Sequence, residues 1–208
     1  MTSKSSKKGF SLGKFIPVVV VVLIVASIIS FKLFKREAGA IEFQKGTGYC
    51  TWSEGGYLTT YSDESLTKVK NLGNNYVAIL VTWYQTTPWS NDIQRTVKTP
   101  SDESVIHAIR KAHELGMKVM MKLHLDLLDK SDGSWRGEIG AMKEEAWKVW
   151  FREYTKYVMY YVDMAKKENV EIICVGTELS TTATTKGYMW TDLIKKVRTR
   201  YDGHLTYA

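Results

Sequence analysis

The chain has 208 residues, of which 44% are hydrophobic, 25% charged and 12% aromatic, a globular composition with apolar material for one sizeable core. Its formal charge is +7, but residues 1–40 carry Lys4, Lys7, Lys8, Lys14, Lys32, Lys35 and Arg36 against Glu37, a net of +6 that leaves +1 for the rest. The remainder is nearly neutral and has no basic stripe, so nucleic acid is excluded as the expected partner.

Residues 1–14 read as a basic arm. They precede an uncharged run over residues 15–31, Phe15 to Phe31. That length is at the short end of a bilayer span and is long for a signal-peptide core, and no A-x-A-like cleavage site follows. A single-pass signal anchor in the cell membrane is the first expectation, and secretion after cleavage the second. The slight excess of basic residues ahead of the span puts the N-terminus in the cytoplasm and the folded domain outside it. Residues 32–41 form a linker, and residues 42–208 the domain.

Phe43 to Trp52 reads as a first strand. Ser62 can cap a helix whose apolar face is Leu66, Val69 and Leu72, and Gly73 ends it. The continuous apolar run Tyr76 to Trp83 is the pattern of a strand buried on both faces. Pro100-Ser101-Asp102 opens a second helix with Val105, Ile106, Ile109 and Ala112 on one face, closing at Gly116. Lys118 to Leu125 is a third strand. A long third helix, about Glu144 to Glu168, repeats Trp147, Trp150, Phe151, Tyr154, Val158, Tyr161 and Ala165 at helical spacing. Glu171 to Gly176 is the fourth strand, Trp190 to Arg200 the fourth helix, and His204 to Ala208 begins a fifth strand.

Alternation of helices with buried strands means βαβ units on a parallel sheet. An open doubly wound sheet competes, yet the G-x-G-x-x-G loop that such a sheet usually carries after its first strand is absent. The expected fold is α/β, of (β/α)8 TIM-barrel type but incomplete, with about four βα units plus a fifth strand. A closed barrel takes about 250 residues, so strands six to eight are expected beyond Ala208. Cys50 and Cys174 fall on strands one and four and read as two buried thiols, too far apart to bridge.

In such barrels the active site gathers at the C-terminal ends of the strands. Strand one ends near Tyr49 and Trp52, strand two near Trp83, Tyr84 and Gln85, strand three at His124 and Asp126, strand four at Thr177 and Glu178. Glu178 directly follows an apolar strand that would project its carboxyl group into the barrel mouth. Aromatic walls would disfavour its ionised form, which suits a general acid. A cap or an ion pair is the structural alternative. His124 and Asp126 alternate on a strand and can face one side. Binding sugar hydroxyls, orienting the acid, holding a metal or forming a structural pair all remain open for them. No third ligand accompanies the two, so no metal is expected, and no cofactor is implied. Trp135 and Arg136, in the loop from Asp132 to Gly137, are further candidates to line the cleft.

Taken in order, Gly48-Tyr49 with Trp52, Trp83-Tyr84-Gln85, Lys122 to Asp126, Trp135-Arg136-Gly137, Trp150-Phe151 with Tyr154, and Gly176 to Leu179 resemble the glycoside hydrolases of family 113. The stretch from Trp190 to Tyr207 resembles them too, and the likeness covers nearly all of residues 43–208. It implies a (β/α)8 barrel and retaining, endo-β-1,4-mannanase-like activity on a polysaccharide or oligosaccharide. Glu178 is then the acid/base residue at the end of strand four, and the nucleophile a second Glu on strand six, beyond this chain. Retaining hydrolysis needs two carboxyl groups about 5–5.5 Å apart, so the segment alone is expected to be inactive. The expected substrate-binding residues are Tyr49, Trp52, Trp83, Gln85, His124, Asp126, Trp135 and Arg136. Leu123 stands where the family often has Pro, and Thr177 where many related barrel glycosidases carry Asn. These departures bear on substrate more than on reaction type. The competing readings are a carbohydrate-binding barrel without catalysis and a metal-dependent hydrolase using His124 and Asp126.

Overall fold

The computed structural model describes residues 42–140 and 142–208; the basic arm, the expected anchor at 15–31 and the linker lie outside the described residues. Among the described residues no helix is long and apolar enough to cross a membrane.

Five strands, β1 (Gly46–Tyr49), β2 (Tyr76–Gln85), β3 (Lys118–Leu127), β4 (Ile172–Cys174) and β5 (His204–Thr206), form one sheet in the order β1-β2-β3-β4-β5. Every pairing is parallel and joins neighbours in sequence, with Gly46 opposite Tyr76, Tyr76 opposite Lys118, Met120 opposite Ile172 and Ile172 opposite His204. A doubly wound sheet would reverse its strand order at a switch point. Here the winding runs in one direction throughout, as in a segment of a (β/α) barrel.

The connections are α1 (Thr60–Asn71), α2 (Asp102–Glu114), α3 (Glu144–Lys167), and the pair α4 (Ser180–Thr185) and α5 (Gly187–Arg198). The second helix opens at Pro100-Ser101-Asp102 as expected, with Ser101 as its cap, the hydroxyl accepting the Ser104 N–H at 3.2 Å. At α1 the cap is Thr59 rather than Ser62, because the Ser62 N–H donates to Thr59 Oγ1 at 3.1 Å and Ser62 itself is buried in the first turn. Leu72 is the C-cap and largely exposed, so the apolar face of α1 stops short of it. Gly73 then turns the chain at a φ of +85°, which a Cβ would strain. No apolar period announces α4, a serine–threonine helix. It is secured by side chains instead, Thr182 Oγ1 donating to the Leu179 carbonyl at 2.9 Å and Thr181 Oγ1 to the Gly137 carbonyl at 2.8 Å.

The core lies between the sheet and the helices, and α3 supplies its largest side chains. Residues 150, 154, 157 and 161 recur at three- and four-residue steps, so they share one face of the helix. That face meets the strands by hydrogen bonds as well as by packing. Trp150 Nε1 donates to Gln85 Oε1 at 2.8 Å, and the Tyr154 hydroxyl to the Val175 carbonyl at 2.8 Å. The Tyr157 hydroxyl lies 3.0 Å from the carbonyls of both Val81 and His124. Trp83 Nε1 donates back to the Tyr161 hydroxyl at 3.0 Å. One helix thereby holds β2, β3 and the end of β4.

Both cysteines are free, Cys174 buried but Cys50 exposed, so the expectation of two buried thiols holds only for Cys174. His107 and His113 face carboxylates, Asp63 at 2.8 Å and Glu171 at 3.2 Å, and fasten α2 to its neighbours.

Replacing Tyr157 by Phe keeps the packing but removes the one hydroxyl donor that two strand carbonyls share. Urea unfolding should show a loss of about 1–2 kcal/mol, against a few tenths for the more exposed Tyr160→Phe.

Candidate active site

Alternation along the strands sorts their side chains between two faces. On β3, Val119, Met121, Leu123, Leu125 and Leu127 are buried against the helices. Met120, Lys122 and His124 face the other way, into a concavity of about 570 Å³ that Leu80, Cys174 and Glu178 also line. The expectation that His124 and Asp126 share a side is met, since their positions differ by two.

Glu178 stands just past β4, at the rim of this concavity, with its side chain half exposed. Its backbone has a φ of +56°, the left-handed region that costs a residue with a Cβ about 1–2 kcal/mol. Such conformations persist where neighbours over-determine them, and they concentrate at functional sites. Two bonds from the end of the chain do so here: the Glu178 N–H donates to the Ala208 carbonyl at 2.8 Å, and the Leu179 N–H to the Tyr207 hydroxyl at 2.7 Å.

The carboxylate shares the concavity with Tyr207 and is paired with a cation, the structural alternative that the sequence left open. Arg136, on a single 3-10 turn (Arg136–Glu138) between β3 and α3, donates from Nη1 to Glu178 Oε2 at 2.6 Å. Its Nη2 stands 3.3 Å from Asp126 Oδ1, and Lys130 Nζ 2.8 Å from Asp126 Oδ2. Burial alone would push the Asp126 carboxyl up, but the Lys130 hydrogen bond, the Leu127 N–H and the Arg136 charge together hold it below its ordinary value. His124 is driven the other way by burial first, then by Arg136 and Lys122, to about 4. It is therefore a neutral imidazole near pH 7, able to donate one hydrogen bond and accept another.

Lys122 and Lys130, not singled out above, belong to this cluster, together with Tyr84 from the end of strand two. Tyr84 is buried directly opposite Asp126 in the parallel register. Burial and the Asp126 charge push its phenol up. The alternation through Lys122, His124 and Asp126 contains the signal for Lys122, and the strand register extends it to Tyr84. Lys130 is four residues past Asp126 in a loop and gives no such signal.

Tyr49, Trp83 and Gln85 point away from the concavity, contrary to expectation. Gly48 and Cys50 take the inner positions on either side of Tyr49, whose hydroxyl meets Ser62 in α1. Trp83 packs among Tyr157, Tyr160 and Tyr161 of α3. Gln85 is fully buried, accepting from Trp150 and donating to the carbonyls of Thr87 and Ser90. It shapes the turn after β2 and is not presented to a ligand. Trp52 and Trp135 are exposed, at 58% and 46%, in the loops after β1 and β3. Trp89, which the sequence reading passes over, is 58% exposed in the loop after β2. The other four tryptophans lie in the layer between sheet and helices. The departures at Leu123 and Thr177 stay out of the cavity lining: Leu123 is buried on the outer face, and Thr177 Oγ1 donates to its carbonyl at 3.0 Å. Among the described residues no three His, Cys, Asp or Glu side chains gather in a way that could hold a metal ion.

The model of Glycoside Hydrolase Family 113 matches residues 47–208. The chain belongs to glycoside hydrolase family 113. Among solved family 113 structures, a β-1,4-mannanase in a complex is 30% identical with a TM-score of 0.73, the match covering 80% of this chain and 55% of that one. The β-mannanase from Alicyclobacillus acidocaldarius in complex with ManMIm is 28% identical with a TM-score of 0.71, over 80% of this chain and 54% of that one. An exo-β-1,4-mannosidase from Opitutaceae bacterium strain TAV5, outside this family's level of identity at 15%, shares the fold with a TM-score of 0.51 over 79% of this chain and 30% of its own. The chain spans about half the length of the family 113 structures it matches. No curated protein matches it.

The depressed His124 value has a consequence for stability. Above pH 6.5 the imidazole is neutral in both folded and unfolded chains, and its contribution is constant. Between 6.5 and about 4 the unfolded chain takes up a proton that the folded one refuses, so stability falls with pH across that window. Allowing for partial exposure, the loss is roughly 1–2 kcal/mol. Thermal melts of wild type and His124→Gln between pH 7 and 4 should show the shallower acid slope in the variant; equal slopes would mean that His124 is not desolvated.

Proposed function

We propose that the full-length protein is a retaining β-glycoside hydrolase acting on β-1,4-mannan, with Glu178 as its general acid/base. The observation that carries this reading is Glu178 itself: a carboxyl group just past the fourth strand, at the rim of the concave face, held in a strained backbone conformation by three separate contacts. Family membership supports the reaction class, and the likeness to β-1,4-mannanase structures supports the substrate.

In the first step of such a reaction Glu178 delivers its proton to the glycosidic oxygen as the bond from C1 to that oxygen breaks. A carboxylate on the opposite face of the sugar attacks C1 and forms a glycosyl-enzyme. In the second step Glu178, now ionised, takes a proton from the water that displaces the carboxylate. Asp126 is a poor choice for the attacking group, because both of its oxygens are held by Lys130, Arg136 and the Leu127 N–H. The nucleophile is assigned to a second Glu outside the described residues, and residues 42–208 on their own are expected to be inactive. Neutral His124, which lines the concavity, supplies hydrogen bonds to sugar hydroxyls, and Trp52 and Trp135 offer apolar faces to pyranose rings. The run at 15–31, with its basic flanks, supports anchoring in the cell membrane with the domain outside.

The test is an assay of the full-length protein on β-mannan beside Glu178→Gln. The wild type should release reducing ends and the variant should be at least about 100-fold slower, the usual range for loss of a general acid. Undiminished activity in the variant would remove Glu178 from the chemistry. A wild type that binds β-glycans without cleaving them would favour a carbohydrate-binding barrel.

A further inference from the structure

Arg136 was expected to contact substrate, but its surroundings describe another role. Its side chain is only 19% exposed, and its two terminal nitrogens face two different carboxylates, Glu178 at 2.6 Å and Asp126 at 3.3 Å. Its Nε is buried and has no partner among the described residues. A guanidinium placed in this way has little left to offer a sugar. It has what is needed to fix one carboxylate with respect to another, because its donors leave a rigid plane in set directions.

The turn that carries it is also fixed on every side. Trp135 N–H donates to Glu138 Oε2 at 3.1 Å, while the Glu138 N–H donates to the Trp135 carbonyl at 3.0 Å. The Trp135 ring folds over Gly137 so closely that a Cβ there would stand 2.3 Å from it. Thr181 of α4 donates to the Gly137 carbonyl, and the Gly140 N–H to the Pro88 carbonyl at 2.9 Å, tying the turn to the loop after β2. Thr181 lies three residues from Glu178. The turn and the carboxylate are thus joined twice, once through the ion pair and once through α4.

We infer that Arg136 is a positioning residue: it holds the Glu178 carboxyl group in the orientation from which a proton reaches the leaving oxygen, using Asp126 and the tied turn as its footing. This rests on the assignment of Glu178 as acid/base. It differs from a role in binding sugar, which would serve every substrate alike, because in the first step, the one kcat/KM reports, positioning the acid matters only when the leaving oxygen must be protonated.

The experiment compares the full-length wild type with Arg136→Met and Glu178→Gln on two substrates. One is β-1,4-mannan, whose leaving group needs a proton; the other is a 2,4-dinitrophenyl β-mannobioside, whose leaving group does not. With Arg136→Met, kcat/KM on mannan should fall about 100-fold, mainly in kcat, since a catalytic group displaced by an ångström loses about that much. On the dinitrophenyl substrate kcat/KM should stay within about threefold, as should that of Glu178→Gln, because no general acid is used. Equal losses on both substrates in Arg136→Met would overturn the inference and return Arg136 to sugar binding or to the fold. Unchanged activity on mannan would overturn it as well. If circular dichroism shows that Arg136→Met does not fold, Arg136→Lys replaces it. One ammonium cannot span two carboxylates, so the same selectivity is expected at about tenfold, and its absence is equally decisive. Full mannanase activity in Glu178→Gln, or a wild type inactive on both substrates, would instead overturn the acid/base assignment and this inference with it. An active wild type and a dead Glu178→Gln, beside an Arg136→Met that loses both substrates alike, leaves the assignment standing and removes only the role given to Arg136.

Discussion

The row of aromatic side chains on α3 is the constraint on which the other parts depend. Trp150, Tyr154, Tyr157 and Tyr161 each carry a large apolar ring and one polar atom, and in each case that atom meets a partner on, beside or just past a strand. Apolar packing alone has no preferred register, since leucines would bury equally well after a shift. A ring with one hydrogen bond to satisfy tolerates no such shift, because the displaced donor would be left in a dry interior. The spacing of four residues on one helix therefore fixes where β2 and β3 end relative to each other. The ends of those strands hold Tyr84, His124 and Asp126.

Above that layer the site is organised by charge. Asp126 and Glu178 are negative, Arg136, Lys130 and Lys122 positive, and His124 stays neutral because two of those cations and its own burial oppose its proton. Each carboxylate is matched, and the excess of positive charge falls on the concave face. The core and the charges come from the same alternation along β3: one face reads valine, methionine and leucine, the other methionine, lysine, histidine and aspartate.

Much of the fold was legible because buried parallel strands and a 24-residue amphipathic helix leave patterns that chance rarely produces. The sequential order of the strands followed from the barrel reading. What escaped notice was what short-range pattern does not encode. Helix α4 has no apolar period, being held by threonine hydroxyls. The cap of α1 moved from Ser62 to Thr59 because both residues suit a cap and only the entry of the chain decides between them. Within the site, residue type alone misplaced Tyr49, Trp83 and Gln85. Each is plausible against a sugar, but all lie at odd-numbered positions on strands whose inner face is even-numbered. Reading His124 and Asp126 by alternation succeeded, and the same rule applied across β1 and β2 would have excluded the other three. Arg136 was located in the right loop, although its pairing with both carboxylates depends on a fold of the chain that no motif records.

The contacts that hold Glu178 in its left-handed conformation have a temporal side. The partners of its own N–H and of the next come from Ala208 and Tyr207, and the second of these bonds spans 28 residues. During synthesis, the strand leading to Glu178 and the helix that follows can form before those partners exist. A nascent chain at that stage has the carboxyl group and its Arg136 partner but lacks both backbone partners that offset the strain at residue 178. The left-handed turn at Glu178 is completed only when the segment after β5 docks, so the carboxyl group proposed as the acid is set in place as a late event of assembly.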